Sequence, residues 1–215
     1  MSLKNLYNFK GWEMLLVFSF SYAVITLSMN LFVLNENYYY SAFGNQLDQS
    51  RIAEIIEINR KTEWLTYLIT PLGLLIKWTL IAGALHTVSI IMDYEVSFND
   101  CFKVVSFAEL IMLLSSLVKL FYFMINTPNS IEDLQDNNFL SMLQLFKTNE
   151  IHSLLIFPLQ QLNLFEILYW LIISYGIMRF MKKGFAAAFR MTLLGYGPIF
   201  ILIIFCVIFI KQQFL

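Results

Sequence analysis

Five ionisable side chains stand inside long apolar runs of this chain: Lys77, His86, Glu109, Lys119 and Glu166. In hydrocarbon such groups pair with one another, reach back to water, or handle a proton or ion. Which of these applies depends first on depth. A helical residue advances about 1.5 Å. Lys77 lies fifteen residues before Met92, Lys119 seventeen after Phe102 and Glu166 fifteen before Met181. Counted from those ends, all three fall about 22–26 Å into a core about 30 Å thick. His86 is six residues before Met92 and Glu109 seven after Phe102, so this pair falls about 9–11 Å in. The polar groups therefore sort into two layers. In the outer layer, Lys77 and Lys119 have stems long enough to snorkel to the headgroups. Alternatively, a lysine bridges to Glu166. In the inner layer, His86 and Glu109 are too short to escape. A hydrogen bond between them would lock two spans in register; a proton relay would use the same pair.

Other chemistry finds little support. With two histidines and two cysteines, Cys101 and Cys206, set at different depths, neither a metal constellation nor a disulfide is expected. His152 and Ser153 have no acid placed for a triad, and no phosphate loop or hydrolase motif occurs. No catalytic residue, cofactor or metal is assigned. A formal net charge of −1 offers no basic stripe for nucleic acid.

The elements that must carry these residues follow from hydropathy. The chain is 59% hydrophobic and 13% charged, with a mean hydropathy of +0.67. Too little charge is present to cover a globular surface, so lipid covers part of it. Five runs reach the length needed to cross a bilayer, at about 12–34, 65–92, 102–125, 162–181 and 189–210. Backbone groups in lipid must bond within their own segment, which requires helices here. The expected fold is an all-α polytopic membrane helix bundle, one domain over 1–215, with five transmembrane helices and short amphipathic helices in the external loops.

The first long loop places Ile52, Ile55 and Ile56 at helical spacing among Arg51, Glu54, Glu57 and Arg60. That spacing predicts a short amphipathic helix on the membrane or on the other spans. Tyr38, Tyr39, Tyr40 and Trp64 suit an interfacial belt. In the second long loop, Ser130 with Asp133 resembles a helix start, and Phe139, Leu140, Leu143 and Phe146 predict one apolar helical face. Ser97 or Asn99 would cap the third span. In the fifth, Pro198 frees the carbonyl of Leu194, and Gly195 and Gly197 permit a close neighbour. Ala82-Gly83-Ala84 is a second small-residue seam.

Orientation follows from cationic residues in short segments. Lys4 and Lys10 precede the first span, and Arg179, Lys182, Lys183 and Arg190 surround the fourth link. These ends are expected in the cytoplasm, with the long loops and the C-terminus external.

The stretches "LITPLGLLIKWTLIAGALHTVSIIM", "VSFNDCFKVVSFAELIMLL", "LNLFEILYWLIISYGI" and "GFAAAFRMTLLGYGP" resemble the Yip domain family of multi-pass membrane proteins, in its bacterial branch. The resemblance covers the chain from about Leu65 onward. It implies a five-span protein that works through other integral membrane proteins. The Asp-Leu-Tyr-Gly-Pro motif of eukaryotic members is absent, so GTPase binding does not carry over. The function expected is a non-enzymatic accessory or scaffold subunit of a larger complex in a bacterial inner membrane. The alternative is a small-solute or ion transporter built on the five intramembrane polar residues.

Overall fold

The computed structural model describes residues 9–44, 46–128, 130, 134, 140–146 and 152–214. Seven α-helices are resolved among them: α1 Gly11–Phe32, α2 Glu36–Phe43, α3 Gln49–Ile91, α4 Phe98–Ile125, α5 Ser153–Gln161, α6 Leu164–Met181 and α7 Phe185–Phe214. A 3₁₀ turn covers Met142–Leu145. The described residues contain no strand beyond one isolated bridge between Ser141 and Asn163. Five helices, α1, α3, α4, α6 and α7, are long and apolar enough to cross a membrane. The fold is the all-α membrane bundle that hydropathy predicts.

The boundaries differ in instructive ways. The amphipathic segment is not a separate short helix: α3 runs unbroken for 43 residues. Its length of about 65 Å is about twice a bilayer core. No Gly or Pro stands between Gln49 and Thr70 to stop it, and composition marks only the change of solvent along the helix, not an end. Ile52 and Ile56 are buried on it as the spacing requires. Pro71 is accommodated inside α3, leaving the carbonyl of Tyr67 without its helical donor. α4 begins at Phe98, four residues earlier than the predicted span. Ser97 and Asp100 cap it reciprocally: the Asp100 N–H donates to Ser97 Oγ at 3.2 Å, and Ser97 Oγ donates to Asp100 Oδ2 at 2.6 Å.

In the second long loop, Asp133 and Phe139 lie outside the described residues. Leu140, Leu143 and Phe146 do not form one helical face. Leu140 has φ 55°, and the chain makes a 3₁₀ turn in which Leu143 is buried while Leu140 and Phe146 are exposed. The reason is local pairing. Met142 N–H donates to Leu162 O at 2.9 Å and Leu164 N–H to Leu140 O at 3.1 Å, which spends on a neighbouring strand-like segment the groups a helix would use.

The chain divides into two compact units. The first holds residues 1–14, 76–112 and 138–215. Its core includes Trp78, Leu85, Val104, Ala108, Tyr169, Ile173 and Met191, all fully buried. The second holds residues 15–75 and 113–137. Its core is Ile25, Val33, Leu120 and Phe123, flanked by Met29, Leu117 and Leu134. In the second unit Asn35 caps α2 by accepting from Tyr38 N–H. Glu63 accepts from Asn30 at 2.9 Å and from the Tyr67 hydroxyl at 2.7 Å, which ties α1 to α3.

A buried polar knot as the candidate functional site

The first unit gathers the intramembrane polar groups. Lys77 projects from α3, one position before Trp78. Glu109 projects from α4 and is almost fully buried, with a side chain 2% exposed. The Lys77 ammonium donates to both carboxylate oxygens, at 3.0 Å to Oε1 and 2.9 Å to Oε2. The Trp78 indole N–H adds a third bond to Oε2 at 3.0 Å. Lys77 also lies over the ring of Tyr169 on α6, 5.1 Å from its centroid. One lysine thus ties together three helices.

A second carboxylate sits on α6. Asn163 caps that helix, its side chain accepting from Glu166 N–H at 2.9 Å. Glu166 therefore stands in the first turn, where the helix dipole favours negative charge. Its Oε1 accepts from the Trp170 indole one turn on and from the Tyr196 hydroxyl of α7, both at 2.7 Å. Tyr196 packs edge-on against Tyr169 and Trp170, with centroids 5.5 Å away in each case. Two turns further along α6, Ser174 and Thr192 share a buried hydroxyl bond of 2.9 Å. Each such bond between helices in lipid is worth on the order of 0.6–2 kcal/mol.

The expected pairing of the inner layer is corrected. Glu109 bonds to Lys77, not to His86. His86 Nδ1 lies 3.0 Å from the carbonyl of Val96. A carbonyl only accepts, so Nδ1 carries the proton of this bond. Ser89 Oγ donates to the same carbonyl at 3.1 Å. His86 and Ser89 together hold down the tight link between α3 and α4, where Asp93 has φ 55°. The physical reason for the difference is the start of α4. Four further residues before Phe102 place Glu109 about 6 Å farther from its helix end than the count assumed. That brings it within reach of the Lys77 stem, so the two layers are not separate.

The other residues fall out as follows. Lys77 neither snorkels nor bridges to Glu166. Lys119 belongs to the second unit, its ammonium 5.7 Å from the ring centroid of Phe123, one turn further along its own helix. Gly195 is a true seam: a Cβ there would stand 3.1 Å from Leu85 Cα and 3.2 Å from Leu85 N, so α7 and α3 meet backbone to backbone. Gly197 and Gly83 have open space at that position. Pro198 is retained inside a continuous α7.

The sequence reading missed Trp78, Tyr169, Trp170 and Tyr196. A signal was present. A buried indole or phenol in lipid needs an acceptor, and Trp170 stands four residues after Glu166, the spacing of one helical face. No group of three His, Cys, Asp or Glu that could hold a metal occurs among the described residues.

Five apolar helices together with this internally bonded polar knot define an integral, multi-pass α-helical membrane protein. Compared with models of protein families, with curated proteins and with solved structures, the chain matches none.

Proposed function

We propose that this protein is a non-enzymatic accessory or scaffold subunit of a larger complex in a bacterial inner membrane, with the start of α1 in the cytoplasm. One observation carries the reading: in the first unit the intramembrane polar side chains are spent on internal ties. Lys77, Trp78 and Glu109 bond to one another. Glu166 is held by Trp170 and Tyr196, and His86 reaches a backbone carbonyl. Such groups rigidify the first unit, whose exposed apolar side chains include Leu202 and Phe205 on α7. The resemblance to Yip domain proteins points the same way, toward action through other integral membrane proteins. The test is native mass spectrometry of the tagged chain from mild detergent. A partner at fixed stoichiometry is expected; a lone chain that moves a solute in proteoliposomes overturns the reading.

A second reading rests on Glu166. Among the described residues no cation forms an ion pair with it, and its bonds come from neutral donors. A carboxylate so held can exchange a proton or meet a cation, which suits a transporter. Under that reading Glu166→Gln abolishes flux while the chain stays folded.

A further inference from the structure

We infer that the turn at Leu140–Phe146 is a lipid-facing wedge in the interfacial layer of one leaflet, and that the groove between it and the start of α6 seats the upper part of a phospholipid acyl chain. The inference rests on the multi-pass membrane class and is independent of whether the protein is a scaffold or a transporter.

Depth comes from α6. That helix has 18 residues, about 27 Å, against a hydrocarbon core of about 30 Å. It has no length to spare, so Leu164 must stand at a hydrocarbon boundary. The turn is pinned there by backbone bonds, Met142 N–H to Leu162 O and Leu164 N–H to Leu140 O, with Ser141 opposite Asn163. The stretch "LSMLQLF" from Leu140 to Phe146 carries no charge. Leu143 points inward and is 8% exposed, whereas Leu145 is 78%, Leu140 56% and Phe146 52% exposed. Large apolar side chains crowded onto one short turn are costly in water, at about 25 cal/mol per Å² left wet. At a membrane boundary the same side chains enter the acyl region at no such cost.

The groove has a volume of about 290 Å³. Leu140, Leu145, Leu164 and Ile167 make its apolar walls, and Ser141 and Gln144 supply polar groups. Apolar walls with a polar rim suit the place where a lipid's ester gives way to its chain. With Leu164 at the boundary, the apolar walls at Leu164 and Ile167 open on the hydrocarbon side, where acyl chains are the apolar groups at hand, and this decides the occupant in favour of an acyl chain over a soluble ligand.

The test uses the full chain in phosphatidylcholine–phosphatidylglycerol nanodiscs. A nitroxide is placed at Leu145→Cys or Ile167→Cys in a Cys206→Ala background; Cys101 is buried. Collision rates with oxygen, which concentrates in lipid, are compared with those of a water-soluble nickel chelate. Glu54→Cys, at a side chain 57% exposed on the charged part of α3, is the aqueous control. Oxygen is expected to exceed nickel by several-fold at both groove positions and the order to reverse at the control. Nickel access at Leu145 equal to the control overturns the proposal. Low access to both reagents also overturns it, because protein, such as a second copy, then covers the groove.

Discussion

Lys77 and Lys119 enter the membrane in similar sequence surroundings, and the two units treat them differently. In the first unit Lys77 meets a buried carboxylate bidentately and an indole shares the same acceptor. In the second unit Lys119 is half-buried, its ammonium over the ring of Phe123 one turn further along its own helix. Both solutions are open to a lysine in an apolar span. The choice depends on whether a neighbouring helix delivers an acid at the right depth. The start of α4 at Phe98 delivers Glu109 to Lys77. Within the second unit, bonded carboxylates among the described residues sit on α2, as Glu36 does with Arg60, or toward the polar end of α3, as Glu63 does with Asn30 and Tyr67. A lysine in a span is therefore a tie between helices in one unit and lies over a ring of its own helix in the other.

The largest expected effect comes from breaking the tie one-sidedly. Glu109→Ala should destabilise the protein by about 3–5 kcal/mol, since it strands a lysine among apolar groups. Thermal unfolding in nanodiscs measures this. The double variant Lys77→Met with Glu109→Met should recover most of the loss; if it is as unstable as the single variant, the pair is not the source of the effect. Next comes the seam. Gly195→Val should cost about 1–3 kcal/mol by forcing α7 away from the Leu85 backbone. Gly83→Ala, with open space at its Cβ position, should instead gain up to about 1 kcal/mol from helix propensity. Equal responses at the two glycines would remove Gly195 from the interface. Tyr196→Phe deletes one of two donors to Glu166 and should cost about 1–2 kcal/mol in the same assay. Lys119→Met should be smallest, within about 0.5 kcal/mol of wild type, since it strands no buried charge or hydrogen-bond partner among the described residues. A loss comparable to that of Glu109→Ala would show that Lys119 is held by a tie of its own.

Much of the architecture is legible in the sequence. The five spans, the cap at Ser97, the buried Ile52 and Ile56, and the close approach at Gly195 follow from apolar run length, capping chemistry, helical periodicity and the lack of a side chain. The loop between α4 and α6 was not. Leu140, Leu143 and Phe146 have helical spacing, yet pairing of Leu140 and Met142 with the segment before α6 outbid the helix. Nor was the continuity of α3 visible, because a change from polar to apolar composition looks like a boundary even when no residue breaks the backbone.

The candidate site divides along the same line. Residue types alone establish that lipid is the solvent and that Lys77, His86, Glu109 and Glu166 are costly there, because transfer free energy is a property of each side chain. Which of them meet is another matter. A one-turn difference in where α4 begins moves Glu109 by about 6 Å, enough to exchange His86 for Lys77. Pairing depends on the relative depth and facing of separate helices, and those are set by the packing of many side chains at once.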